Sequence, residues 1–503
     1  MRLAILHYHL RPGGVTTVIE HAVAGMEAVG TADIVVLSSE SYTGDKLANV
    51  QLVPELAYHK DADAGSPESL ADSLERAARL GLDGELPDVW HCHNHSLGKN
   101  VHLPDALAIL IRRGYRCLLE IHDFAEDGRP DEYVVLSKSH VAYPAIPSVH
   151  YGTINTRDRD FLIKAGLPES QVHDLPDPVI IKQRAKRRPR KKNARPLLLY
   201  PTRGIRRKNM GETVLLAALC EKRGFIATTR APDNPRWQPI HDAWVAFAEA
   251  RQLPIAFAVV DRQSPADLQL SSETDNSFDA WLNTAGCVLT TSVSEGFGLA
   301  FLESLAIGRP LLGRDLPEIT SDFREQELSF PGLYRAVRMP VQWIGEDRLF
   351  EELHRGIKGF YETYQQPLPK EATEDAFDSM VDGRGRVDFG RLHEQFQREI
   401  IDHIIGEIAH DEVIFETDAA FAGADLWLDS WFKEGMPIPT ITEQRSTLKK
   451  FYSLEPYAKK LLDCYGKLMK EPAAEADAPL GSNVSAELLT TFLSPERFQF
   501  LKS

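Results

Sequence analysis

Residues 287–303 read Cys287-Val-Leu-Thr-Thr-Ser-Val-Ser-Glu295-Gly-Phe-Gly-Leu-Ala-Phe-Leu-Glu303. The apolar run 287–291 predicts a short buried strand, Gly296 and Gly298 a turn, and the apolar spacing of 299–307 a packed helix. Strand, glycine turn and helix together offer backbone N–H groups and a positive helix end to an anion. Glu295 falls in the turn, and Glu303 lies roughly two helical turns along the same side at ~3.6 residues per turn. Donors for a diphosphate and two acceptors for hydroxyls suit a nucleotide-sugar. The plainer alternative is an ordinary helix with solvated glutamates.

Downstream, Ile307-Gly-Arg-Pro-Leu-Leu-Gly-Arg-Asp-Leu-Pro-Glu-Ile-Thr320 has the pattern of a strand followed by a loop. With this continuation, the segment resembles the E-x7-E motif of the retaining glycosyltransferases of the GT-B fold, the large family four. The resemblance covers roughly residues 1–320 and 441–468. It implies an α/β protein of two Rossmann-like domains facing a central cleft, with C-terminal helices crossing back to the N-terminal domain.

The rest of the chain fits two such halves. A chain of 503 residues exceeds one ordinary core. Short apolar strands alternate with amphipathic helices in the first half, at 2–7, 34–37, 89–93, 117–121, 150–154 and 173–175, with a helix at 17–29. Residues 181–195, IKQRAKRRPRKKNAR, cannot bury a core. They read as a solvated interdomain linker or as a docking patch for an anionic partner or lipid head group. Alternation restarts at 197–200 and continues through 225–229, 255–260, 287–291 and 310–312. The boundaries expected are an N-terminal acceptor domain at 1–182, a basic linker at 183–195 and a nucleotide-sugar domain at 196–440. Residues 330–431 are expected to be helical elaboration, and 441–503 closing helices and tail.

Composition narrows the function classes. With 43% hydrophobic and 26% charged residues the chain is globular, and its net charge of −16 argues against nucleic acid as the main partner. Five scattered cysteines without CxxC spacing read as buried thiols of a reducing cytosol. No run of eighteen apolar residues occurs, so a cytoplasmic protein is expected.

Several other positions carry chemistry. Tyr200-Pro-Thr-Arg203-Gly-Ile-Arg-Arg-Lys208-Asn209 places cations after the first strand of the second half. Fixed cations aimed at a departing diphosphate stabilise the transition state more than the ground state. Arg203 and Lys208 resemble the family's diphosphate-gripping pair, and Arg206 and Arg207 read as surface charge. The resemblance assigns Glu303 to the ribose hydroxyls and Glu295 to the hydroxyls of the donor sugar. It places the N–H groups of Phe297, Gly298 and Leu299 near the diphosphate or sugar. Gly13 and Gly14, in Arg11-Pro-Gly-Gly-Val15, resemble the glycine loop that closes over the donor phosphates or the acceptor. His122 resembles the strand-end histidine that contacts the transferred sugar, the alternative being a strand-capping His-Asp pair. His91, His93 and His95 share one face of an extended segment. They read as cleft-lining histidines, with a zinc site as the alternative. Asn94, Lys99, Asn100 and Arg129 lie in N-domain loops, and Arg129 or Lys99 either holds an anionic acceptor or is solvated.

The expected activity is retaining transfer of a hexose, glucose or mannose, from a nucleotide-sugar to a small, soluble acceptor. A UDP-sugar is favoured, with GDP- and ADP-sugars as alternatives, and neither cofactor nor metal is required. A glycoside phosphorylase, a sugar-nucleotide epimerase and a non-catalytic nucleotide-sugar-binding regulator are the competing readings.

Overall fold

The computed structural model describes the chain except residues 31, 62, 64, 182–194, 221–222, 262–276, 408, 419–420, 433–440 and 503. The basic stretch 183–195 therefore lies, but for Arg195, outside the described residues. Met1–Val179, Tyr361–Gln366 and Lys450–Ser494 form one compact unit; Ile180–Phe360, Pro367–Lys449 and Pro495–Ser503 form the other.

The first unit is built on seven strands: β1 (Arg2–Leu6), β2 (Asp33–Ser38), β3 (Val50–Leu52), β4 (Val89–His93), β5 (Arg116–Ile121), β6 (Val149–Thr153) and β7 (Val172–Asp174). Their spatial order is β3-β2-β1-β4-β5-β6-β7, and every pairing is parallel. Such strands are covered on both faces, which is why β4 is buried at every position. Helix Gly14–Val29 presents Val18, Ala22 and Met26 to Tyr457, Leu461, Cys464 and Leu468 of helix Leu454–Leu468. It ends at Gly30, whose left-handed backbone (φ 67°) lets its N–H reach the carbonyls of Met26 and Glu27. The strand order reverses between β1 and β4. Loops leaving the carboxyl ends of β1, β4 and β5 therefore gather at the position where such sheets bind ligands.

The second unit repeats the plan with β8 (Leu197–Arg203), β9 (Phe225–Arg230), β10 (Ile255–Ala256), β11 (Cys287–Thr290), β12 (Leu311–Arg314) and β13 (Leu333–Tyr334), in the order β10-β9-β8-β11-β12-β13. Here the order reverses between β8 and β11, where Leu198 lies opposite Cys287. The strand expected over 255–260 stops at Ala256, because Ala258 turns into left-handed backbone (φ 53°) and donates its N–H to the Thr228 hydroxyl at 3.0 Å.

The elaboration at 330–431 is not wholly helical, as its sequence suggested. Helices Glu346–Thr363, Ala372–Met380, Glu394–Glu407 and Ala424–Phe432 accompany an antiparallel sheet of β14 (Ala336–Pro340), β15 (Arg386–Asp388), β16 (Ile414–Glu416) and β17 (Phe421–Gly423), ordered β15-β14-β16-β17. These strands, 3 to 5 residues long, are too short to display a period of two. Phe415 stacks on Trp427 at 4.3 Å between ring centres and seals sheet to helix. All five cysteines are free and buried. Among the described residues no helix is long and apolar enough to cross a membrane.

Candidate functional site

In the second unit the chemistry-bearing residues meet at the reversal point. β8 leads into the turn Arg206–Lys208 and Asn209, and β11 leads into the turn that ends at Gly298. Main-chain and hydroxyl bonds sew the two turns together. The Val293 N–H donates to the Arg207 carbonyl at 3.0 Å, the Thr291 hydroxyl to the carbonyls of Lys208 (3.0 Å) and Asn209 (3.1 Å), and the Tyr200 hydroxyl to that of Lys208 (3.1 Å). So held, the Lys208 ammonium forms an ion pair with the Glu295 carboxylate, their side chains 17% and 11% exposed. Burial would push the Glu295 carboxyl up, but the charges of Lys208 and Arg207 hold it below the usual carboxylate range. A fixed anion and a fixed cation thus sit in the strand-end turns that lead to helix Leu299–Ala306, whose first N–H groups have no intrahelical acceptor.

Gly298 is the N-cap of that helix, with φ 84°. A Cβ there would lie 2.8 Å from Ile319 Cγ2 and 2.9 Å from Phe301 Cδ2. Neither its backbone nor its surroundings admit a side chain. Phe297 is buried, its ring edge-on to Phe323 at 5.6 Å. Leu299 is half-buried, and Glu303 is exposed while Phe301, Leu302 and Leu305 face the core.

The neighbouring arginines divide differently from the expectation. Arg203 is the exposed one, 61% accessible and paired with Asp233 at 2.9 Å. Arg206, expected to be mere surface charge, gives the Glu394 carboxylate two hydrogen bonds of 2.7 and 3.0 Å. Arg207, in the same category, is half-buried, donates to the Ser294 carbonyl at 3.4 Å and helps hold Glu295 ionised. The short spacing RRK hid this, because Glu394 lies far away in sequence.

In the first unit, Gly13 and Gly14 are exposed at the start of helix Gly14–Val29. Gly13 is in extended backbone, and a Cβ at Gly14 would meet nothing within 4 Å. The main chain there is open to a ligand. At the ends of β4 and β5 a buried network forms. Glu120 is completely buried; its carboxylate is 2.9 Å from His91 Nε2 and 3.2 Å from His122 Nε2. His91 Nδ1 meets the Tyr465 hydroxyl at 2.8 Å, His93 Nδ1 meets His122 Nε2 at 3.0 Å, and Asp177 lies 3.7 Å from His122 Nδ1. Burial would push the His122 imidazole down, yet Glu120 and Asp177 lift it to about 9. Burial and the nearby His91 keep His93 far below the usual histidine range. His122 is therefore held protonated at neutral pH, opposite an ionised Glu120.

His95 leaves the other two histidines and bonds the Ala142 carbonyl at 2.8 Å, so the set His91, His93 and His95 does not form a metal site. Two other buried groups have ligand atoms close enough to hold an ion: His91, His93 and Glu120, and Glu120, His122 and Asp177. The hydrogen bonds just described already use both His91 nitrogens. The acceptor candidates are committed internally as well. Asn94 Oδ1 receives the N–H groups of His122 (2.8 Å) and Asp123 (3.1 Å). Lys99 is 2.6 Å from Glu132, and Arg129 is paired with Asp123 at 2.5 Å. Asn100 donates to the carbonyls of Glu55 and Ala57. Lys99 and Arg129 are thus each paired with a carboxylate rather than simply solvated. Glu120 and Asp177 escaped the sequence reading, although Glu120 stands two residues before His122, at the end of β5.

No family model matches the chain. Over 362 residues it is 28% identical to the mannosylglucosyl-3-phosphoglycerate synthase of Petrotoga mobilis, covering 65% of this chain and 68% of the relative. Among solved structures it is similar to sucrose-phosphate synthase from Thermosynechococcus elongatus, with a TM-score of 0.50, 12% identity, and 93% and 98% of the two chains covered. The lipopolysaccharide outer core galactosyltransferase WaaB also aligns, at a TM-score of 0.46 and 13% identity over 92% and 99% of the two chains. The fold is GT-B, with two Rossmann-like α/β domains.

Proposed function

We propose that this protein is a retaining glycosyltransferase that moves a hexose from a nucleotide-sugar to a small, anionic hydroxyl compound. The observation that carries the reading is the Lys208–Glu295 ion pair, in the turns leading to the glycine-capped start of helix Leu299–Ala306. A diphosphate accepts from Lys208 and from helix N–H groups, and hydroxyls donate to carboxylates held ionised. Lys208, with Arg203 as an outer cation, stabilises the negative charge that grows on the departing nucleoside diphosphate. Glu303 takes the ribose hydroxyls, and Glu295 those of the donor sugar. Gly13 and Gly14 offer open main chain to phosphate or acceptor, and His122 is the first unit's contribution to catalysis. The leaving phosphate takes the proton of the acceptor hydroxyl as that oxygen bonds the anomeric carbon from the face the phosphate vacates, so the α configuration is kept. No metal is assigned a role.

The similarity to a protein named for making mannosylglucosyl-3-phosphoglycerate supports mannose as the hexose and a phosphorylated sugar acid as the acceptor class. The test is incubation with UDP-, GDP- and ADP-linked glucose and mannose, with and without glucosyl-3-phosphoglycerate or inorganic phosphate, followed for nucleotide release and product anomer. Acceptor-dependent release with an α-linked product is expected. Release that requires inorganic phosphate, or conversion of the donor without release, would overturn the proposal.

A further inference from the structure

The elaboration between β13 and helix Ile441–Tyr452 sends one helix, Glu394–Glu407, directly against the cationic turn 206–209. Asn209 closes that turn in left-handed backbone (φ 52°, ψ 60°), a region asparagine enters more readily than other residues with a side chain, and its side chain is fixed there by its surroundings. The surroundings here come largely from the elaboration. Gln397, completely buried, donates from its amide nitrogen to Asn209 Oδ1 at 2.9 Å and to the Phe389 carbonyl at 3.1 Å. Asn209 in turn donates to Glu212 Oε2 at 2.9 Å. One helical turn before Gln397, Glu394 takes both hydrogen bonds from Arg206. A third tie runs through Arg314 at the end of β12, which grips Glu212 on one side and Asp388 on the other, both Asp388 bonds at 2.8 Å. Room for this contact is built into the sequence. A Cβ at Gly211 would lie 2.0 Å from Gln397 Oε1, and one at Gly390 would lie 2.2 Å from the Arg314 guanidinium.

We infer that the elaboration is a positioning device for the donor site: Gln397 and Glu394 fix the turn 206–209 and thereby set where Lys208 meets the donor diphosphate. Neither residue touches substrate in this scheme; both act through Arg206 and Asn209. The inference rests on the reading of Lys208 as the diphosphate grip. It accounts for an isolated buried amide in a helix that the two Rossmann-like sheets do not need. It also makes the elaboration a place from which donor affinity can be tuned without altering any residue that contacts the nucleotide.

The test compares wild type, Lys208→Ala, Glu394→Gln and Gln397→Leu by calorimetric titration with UDP, GDP and ADP and with the matching nucleosides. Each variant is first checked for folding by circular dichroism. Glu394→Gln and Gln397→Leu are expected to weaken diphosphate binding about three- to tenfold, as for loss of one hydrogen bond to a buried or charged group. Nucleoside binding should be unchanged, which a merely structural loss would not allow. Diphosphate affinity equal to wild type, or equal losses for diphosphate and nucleoside, overturns the inference. If Gln397→Leu does not fold, Glu394→Gln decides by the same criterion. A Lys208→Ala protein that binds diphosphate normally, or a wild type that binds none of the three, refutes the diphosphate reading itself.

Discussion

Replacing Lys208 by methionine should expose how much the Lys208–Glu295 pair holds the second unit together, and the effect should depend on pH. The substitution keeps the aliphatic stem and leaves Glu295 with a side chain only 11% exposed. Removing one partner of a buried pair costs roughly 3–5 kcal/mol; residual water contact at both side chains brings the expectation to about 2–3 kcal/mol. For a domain of this size each kcal/mol moves the midpoint by ~2–4 °C, so the second unit should melt roughly 4–12 °C lower at pH 7. In the wild type the Glu295 carboxyl is held below its ordinary range. Its contribution is therefore present above the unfolded value and lost as the pH falls through the folded one. Without Lys208 the carboxyl has only Arg207 as a neighbouring cation to offset its burial and rises from its wild-type position, so the variant's penalty grows as the pH rises through the acidic range. Calorimetric melts at pH 4 and pH 7 should show a small deficit at the first and the full deficit at the second. Adding Glu295→Gln should recover most of the loss at pH 7. A deficit independent of pH, or a double variant less stable than Lys208→Met, would refute the paired-charge account.

Glu303→Ala should weaken binding of the free nucleotide by about 1.5–3 kcal/mol, since a carboxylate–hydroxyl bond is lost; wild-type affinity in a folded variant would remove Glu303 from the ribose. His122, lifted to about 9, should contribute about 3 kcal/mol that is fully present below pH 6.5 and fades as the pH rises through about 9. An NMR titration of its ring protons should show that midpoint, and Glu120→Gln should draw it down; a wild-type midpoint near 6.5 would dismantle the network as described. Gly298→Ala should cost about 2–4 kcal/mol, from left-handed backbone and from contact with Ile319 and Phe301, and should lower turnover by displacing the helix start. Thermal melts within 1 °C of wild type would contradict the close approach.

The local architecture around the candidate site could be read from residues 287–303, because strand, glycine turn and helix follow one another locally and each carries its own signal. Lys208 was legible for the same reason, standing just after a strand. What escaped was long-range. Glu394 meets Arg206 and Gln397 meets Asn209 across 188 residues, and no local pattern announces either. Nothing in the sequence signals that Lys99 pairs with Glu132, Arg129 with Asp123, or Asn94 Oδ1 with the N–H groups of His122 and Asp123. Polar residues in loops show their type but not their partners. The antiparallel sheet within 330–431 stayed hidden because three of its four strands have only three residues and carry no period.

The first unit is assembled from three separate stretches of chain, the last of them Lys450–Ser494. Helix Leu454–Leu468 supplies part of its core, against Val18 and Met26. Synthesis on the ribosome therefore leaves this unit unfinished after its own strands have emerged. About 300 further residues must be made before the missing helix appears, and at ~5–20 residues per second that interval is roughly 15–60 s. During it the apolar face of helix Gly14–Val29 lacks the part of its native cover that Tyr457, Leu461, Cys464 and Leu468 supply, so a chaperone that shields nascent chains has a defined target. Stalled or truncated products ending before residue 454 should aggregate through that face, although every strand of both parallel sheets has already been made.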